Sequence, residues 1–354
     1  MNNINKLQST LCEDECALLF DEVSRRYFTK MKSSAGTLVV FKQAAYLLID
    51  FRYYEKAKKT VFDCEVIEQI RLYHQINELV KKHGAKRILL NNDKVTLAEY
   101  FAFKENLKAT VLQKSSLSKT ITNLRSTKSD EEKEKIIHAQ RIAEKAYLEL
   151  LNYVRVGMTE REVALELNRL MFFYGAEDLS FETIALGGAN TSVPHGTPSE
   201  YKLSSGDLLL LDFGAQSDGY HSDMTRTVAI GEVDDKKREV YDIVLKAQLA
   251  GIERIKSGVK CSSVDAAARN IINAAGYEGK FGHSFGHGVG LEIHENPNLS
   301  PNNDISLTSG MVVTAEPGIY LEGEFGVRIE DFGMVTESGF ENFTKVSKQL
   351  TVIG

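Results

Sequence analysis

The chain has 354 residues, 43% hydrophobic and 26% charged, with 43 Lys+Arg against 49 Asp+Glu. This length and apolar share suit about two domains with real cores and exclude a mainly disordered chain, and a net charge of -6 argues against gripping nucleic acid or an anionic membrane through the overall field. No leader-like segment opens the chain, the most apolar windows (44–49 and 208–211) fall far short of a membrane span, and Cys12, Cys16, Cys64 and Cys261 form no disulfide framework or CxxC pair, so a reduced, cytoplasmic setting is expected.

Through about residue 110, short apolar runs alternate with helical patterns. Residues 17–20 read as a strand, 37–41 and 44–49 as a hairpin, and 61–67 as a further strand. Ile67, Ile70, Tyr73, Ile76, Leu79 and Val80 follow helical spacing that Gly84 ends. A strand at 87–90, a helix opening near Thr96 and a strand at 109–112 complete an α/β domain over residues 1–114. Residues 115–127, rich in Ser, Thr and Lys, read as a linker.

Two helices with strong start signals open the second domain, 128–354. Ser129 with Glu132, and Thr159 with Glu162, form capping boxes ahead of apolar faces; Gly175 stops the second helix. Strands are expected at 183–186, 207–213 and 220–230. Helices over 235–255 and 263–275 follow, ending at Gly258 and Gly276, and strands fill most of the remainder. Helix, turn, helix, strands, twice over, predicts an internally duplicated α+β domain.

The apolar strands carry acids. With a loop centred between Ser217 and Asp218, Asp212 stands opposite Asp223; with a loop centred on Gly323, Glu316 stands opposite Glu330. Like charges directly opposite each other destabilise a sheet unless they share a proton, meet a cationic side chain such as Arg328, or bind metal. Between the hairpins lie His283, His287 and His294, with glycine on both sides of His287, and His195 follows Pro194 in a Gly/Asn/Ser-rich loop. Two acid pairs beside clustered histidines favour metal. Hard oxygen donors with an imidazole suit Mn²⁺, with Co²⁺ or Zn²⁺ as alternatives. The stretch 286–290 lacks both the full GxGxxG pattern and a GK[ST] ending, which argues against a phosphate loop.

The stretches VPHGTPS (193–199), LLLLDFGAQSDGYHSDMTRTV (208–228), GHSFGHGVGLEIHE (282–295) and AEPGIYLEGEFGVRIED (315–331) resemble the Xaa-Pro branch of the pita-bread metallopeptidases. SSAGTL (33–38) and DFRY (50–53) resemble the creatinase/prolidase-like N-terminal domain of that branch. The resemblance implies a pita-bread catalytic domain with two divalent metals held by Asp212, Asp223, His287, Glu316 and Glu330. Asp212 and Glu330 would chelate or bridge, Asp223 and His287 would hold opposite metals, and Glu316 would complete the set and serve as general acid/base. His195 and His294 would contact the scissile carbonyl. Arg328 would sit behind the metals or meet a substrate carboxylate, and His283 and Tyr320 would line a proline pocket. Phe285 stands where relatives commonly carry a small hydroxyl residue, which predicts a reshaped pocket.

The activity implied is cleavage of Xaa-Pro bonds at the N-terminus of proline-containing peptides, with aminopeptidase P favoured and prolidase the alternative. A homodimer is implied, and no nucleic-acid or membrane partner. A metal-free creatinase-like hydrolase, a non-catalytic relative and a purely structural role for the acids are the competing readings. All five ligand positions being filled argues against them.

Overall fold

The computed structural model describes residues 2–353. The chain divides into two compact units, Met1–Arg125 and Ser126–Gly354. Among the described residues, no helix is long and apolar enough to cross a membrane.

The first unit is built on a mixed sheet with the strand order Glu65–Glu68, Ala45–Ile49, Thr37–Phe41, Glu15–Leu19, Arg87–Leu90, Thr110–Val111. The expected hairpin forms, with Val39 opposite Tyr46. Two expectations need correction. Ile67 does not start a helix: it pairs with Leu48 in the parallel strand Glu65–Glu68, Ile70 is exposed, and the helix runs over Leu72–His83. Gly84, at φ 66°, ends it as its spacing predicts. The stretch read as a linker carries the helix Leu117–Ser126, whose Leu117, Ile121 and Arg125 are buried one turn apart. Its Ser, Thr and Lys residues mask that stripe.

In the second unit the capping boxes of Ser129 and Thr159 start the helices Asp130–Tyr153 and Glu160–Phe173. This pair packs on a sheet in which Met224–Ile230 lies between Leu208–Phe213 and Val352–Ile353. The helices Asp235–Arg254 and Cys261–Ala274 repeat the arrangement over the strands Val312–Ala315, Gly318–Leu321, Phe325–Arg328 and Asp331–Val335. The twofold element order is thus realised as two helix-on-sheet cores.

Strand alternation then decides which residues face the helices and which are left for the site. Leu209, Leu211 and Phe213 join the first core, so Asp212 points the other way. Ile319, Leu321, Phe325, Val327 and Ile329 join the second core, so Tyr320, Arg328 and Glu330 share the opposite face. The first strand, Leu208–Phe213, is apolar on both faces up to Asp212, since Leu208 and Leu210 are buried as well, and its chemistry is confined to its end.

Phe285 faces the core, not the site. It is fully buried in the second helix-on-sheet cluster, and a Cβ placed on Gly251 would lie 2.1 Å from its Cζ. The reshaped pocket expected from Phe285 is therefore corrected to a ring-into-glycine fit against the helix Asp235–Arg254. Gly251→Ala should lower stability by about 1–3 kcal/mol through overpacking, despite alanine's roughly 1 kcal/mol advantage over glycine in a helix. Urea unfolding checks this. Adding Phe285→Leu should recover part of the loss, and an unchanged midpoint in the single variant would show that the ring is free to yield.

Candidate active site

The first hairpin turns at Asp218-Gly219, where both residues have positive φ (49° and 80°), the backbone that an Asp-Gly dipeptide favours in a two-residue turn. The pairing is therefore Ser217 with Tyr220 and Asp212 with Thr225. The expected Asp212–Asp223 pairing is off by two positions. A shift of two preserves side-chain parity, so Asp223 still comes to the Asp212 side, diagonally rather than directly across. The second hairpin has the expected register. Gly318 pairs with Arg328 and, on the neighbouring ladder, Ala315 with Asp331, which brackets Glu316 and Glu330 at opposed positions. The hairpins are tied together by the Glu330 amide donating to the Thr225 carbonyl at 3.1 Å and the Thr227 hydroxyl donating to the Arg328 carbonyl at 2.9 Å.

His287 stands on the short strand Gly286–Gly288 because a Cβ at either flanking glycine would collide with backbone, 2.1 Å from the Thr314 carbonyl oxygen and 2.5 Å from that of Asn296. Its Nδ1–H donates to the Gly288 carbonyl at 3.0 Å, which leaves Nε2 as a lone-pair donor. Nε2 is 3.5 Å from Asp223 Oδ2 and 3.3 Å from Glu316 Oε1. Asp223, His287 and Glu330 each offer an atom within 4.8 Å of the others. Atoms this close suit ligands of one compact cation cluster.

Arg328 occupies the same pocket, fully buried. Its guanidinium donates to Asp212 Oδ2 at 2.6 Å, to the Tyr320 hydroxyl at 2.8 Å, to the Thr225 hydroxyl at 3.1 Å and to the Pro194 carbonyl at 3.4 Å. Four of its five N–H donors are thus met by protein groups, with Asp212 among the partners. Tyr320 in turn meets His283 Nε2 at 2.9 Å, while His283 Nδ1–H donates to the Ser284 carbonyl at 2.9 Å. The direction of each bond follows: the Tyr320 hydroxyl accepts from Arg328 and donates to a neutral His283. Burial, with Arg328 nearby, pushes the His283 pKa down to about 4, consistent with that tautomer.

His294 packs edge-on against His287 with ring centroids 4.5 Å apart. His195 is exposed and lies near both His283 and His294. Thr225, whose hydroxyl donates to Glu330 Oε2 at 2.7 Å, and Thr314, whose hydroxyl donates to Glu316 Oε1 at 3.2 Å, are parts of the site that the sequence reading misses. Thr225 shares the parity of Asp223, and Thr314 that of Glu316. Parity was the available signal.

The donor set fits divalent cations. Desolvation, then the charge of its neighbours, pushes Asp223 and Glu330 well above the carboxylate range, and burial raises Glu316 to about 8 against the lowering effect of Arg328. Asp212 Oδ1 is buried with no hydrogen-bond partner. Carboxylates whose charge is disfavoured by burial and by one another, beside an orphan acceptor and an imidazole lone pair, form a set that cations would complete.

Both units resemble known proteins. Residues 134–337 match Metallopeptidase family M24, and residues 4–127 match the Creatinase/Prolidase N-terminal domain. The chain is 38% identical over 315 residues to the Xaa-Pro dipeptidase of Pyrococcus furiosus, covering 89% of this chain and 88% of the relative. Among solved structures, the Xaa-Pro dipeptidase from Bacillus anthracis superposes with a TM-score of 0.95 at 40% identity, covering 99% of each chain. The X-Pro aminopeptidase from Thermotoga maritima MSB8 gives 0.91 at 34% identity, covering 98% of this chain and 100% of its own.

Two outcomes follow from the electrostatics. A carboxylate with a raised folded pKa stabilises the metal-free fold fully below its unfolded pKa, and that contribution is lost as pH rises through the folded value. For Glu316 the window runs from the ordinary 4.5 to about 8. Metal-free protein should therefore melt at lower temperature at pH 8 than at pH 5, and added Mn²⁺ should restore the midpoint at pH 8. Calorimetry in buffers of different ionisation enthalpy should show proton release on Mn²⁺ binding. Asp223→Asn should lower metal stoichiometry, read by elemental analysis; two retained ions would remove Asp223 from the ligand set.

Proposed function

The chain belongs to metallopeptidase family M24, and we propose that it acts as an Xaa-Pro dipeptidase, cleaving the bond before a C-terminal proline. Near-full-length likeness to Xaa-Pro dipeptidases carries this reading. The motifs alone favour aminopeptidase P; the relatives support the prolidase alternative, and the proposal follows the relatives. Proline's tertiary amide lacks an N–H and is conformationally restricted, so its hydrolysis calls for a dedicated site.

Asp212, Asp223, His287, Glu316 and Glu330 would hold two divalent cations, with Mn²⁺ proposed from the hard donor set. Bound there, the cations would supply Lewis acidity, acidifying a water and polarising the scissile carbonyl. Glu316 would take the proton of the attacking water and deliver it to the leaving proline nitrogen, a task suited to a carboxyl raised to about 8. His195 and His294 would donate hydrogen bonds to the carbonyl oxygen as negative charge builds on it. Arg328 would hold Asp212 in place, and its link through Tyr320 would keep His283 neutral and oriented toward the proline ring. A homodimer and a cytoplasmic setting belong to the same proposal.

Initial rates on Ala-Pro, Ala-Pro-Gly and Ala-Ala-Gly with added Mn²⁺ test the assignment. Ala-Pro should be cleaved fastest and Ala-Ala-Gly hardly at all; faster cleavage of Ala-Pro-Gly would return the assignment to aminopeptidase P. Glu316→Gln should keep the circular-dichroism spectrum while lowering kcat by about 10²–10⁴-fold, the usual span for a lost general acid–base group. Near-normal turnover would end its proton-transfer role.

A further inference from the structure

Outside the carboxylate cluster, the second unit holds a buried carboxylate that, among the described residues, no ion pair compensates. Glu160 is fully buried as the first residue of the helix Glu160–Phe173. The neighbouring Arg161 points to Glu200 instead. Four donors satisfy the Glu160 carboxylate. Oε1 accepts from the Gly187 amide at 2.7 Å and from Asn190 Nδ2 at 2.9 Å; Oε2 accepts from the Ser199 amide at 2.8 Å and the Ser199 hydroxyl at 2.6 Å. The helix N-terminus adds a favourable field for a negative charge.

Those donors are distributed tellingly. Gly187 and Asn190 stand at the start of the loop that carries His195, and Ser199 stands at its end. One carboxylate therefore grips both ends of a loop about a dozen residues long. Glu160 and Arg161 extend the grip through their amides, which donate to the carbonyls of Tyr201 and Ser199. Between the clamped ends, the Pro194 carbonyl accepts from Arg328 at 3.4 Å and His195 is exposed. The segment's 3-10 turn at Gly188–Ser192, where the Thr191 hydroxyl accepts from the Gly326 amide at 2.8 Å, adds a hold between those ends, and pinning of this kind removes conformational freedom before substrate arrives.

We propose that Glu160 is a positioning residue: by clamping both ends of the loop 187–199 it sets His195 over the metal-ligand cluster. The inference rests on the role proposed above for His195, but the clamp itself can be read without activity. A fixed donor matters because a displacement of about 1 Å can cost about 100-fold in rate.

Glu160→Gln is the direct test, since an amide of the same shape places an NH₂ group against donors. Hydrogen-exchange mass spectrometry should show faster exchange confined to segment 187–199; uniform acceleration, or none, would overturn the clamp. Mn²⁺ stoichiometry should be unchanged while kcat/KM on Ala-Pro falls about 10- to 100-fold. In the His195→Ala background the same substitution should cost less than about 2-fold, because the residue it positions is gone. An equal loss in both backgrounds would overturn action through His195. A wild-type chain inactive on Ala-Pro but with the localised exchange change would defeat the dipeptidase reading and leave the clamp standing. Should Glu160→Gln fail to fold, Ser199→Ala removes one donor of the four and should give the same localised exchange change in smaller size; no change there would count against the clamp.

Discussion

Drawing four carboxylates into one pocket is the costly constraint around which this site is arranged. Asp212, Asp223, Glu316 and Glu330 repel one another where water cannot screen them, and burial alone disfavours each charge. Arg328 offsets part of this and is itself buried, its charge kept by Tyr320, Asp212 and Glu316 against desolvation. Breaking one partner of such a pair would strand the other without compensation. The surrounding structure reads as a means of forcing this convergence: two helix-on-sheet cores press two strand faces together, and threonine hydroxyls fix the rotamers of the acids they touch.

The delivery is robust because it depends on parity more than on register. A strand with one face in a helix-packed core cannot slip by one residue without turning its leucines out. It can accommodate a slip of two, as the first hairpin shows. There the Asp-Gly turn places Thr225 opposite Asp212, and Asp223 stays on the working face through its odd number. The second hairpin, turning at Gly323 with φ 73°, has no such offset.

This explains what could be read from the sequence and what could not. The ligand-bearing strands, the capped helices and the twofold order follow from local signals: alternation, capping boxes and terminal glycines. The errors lie where long-range packing outvotes local pattern. Leu117 and Ile121 build a helix among residues whose composition suggests a linker. Ile67 fits a helical spacing, yet a neighbouring strand claims it. Phe285 lies two residues from His287 among the site motifs, but its direction was settled by a glycine 34 positions away on a helix that only folding brings near. Glu160 had no chance of being noticed, since a glutamate in the first turn of a helix is ordinary until its four donors are assembled around it.

The neighbouring acids Glu330 and Asp331 show how far environment rather than residue type sets chemistry here. They are consecutive, so they point to opposite faces of the same chain. Glu330 meets three other carboxylates, and burial with their charge drives its pKa well up. Asp331 is equally buried, but Arg226 donates to it at 2.7 Å and Lys348 pairs with it, so their charges overcome desolvation and its pKa falls. Arg226 also donates to the Glu330 carbonyl, and its Nε reaches the Ser347 carbonyl at 2.9 Å, binding the C-terminal stretch to the back of the site. One acid is thereby locked as an anion in a structural ion pair, while the other faces like charges that a bound cation would offset.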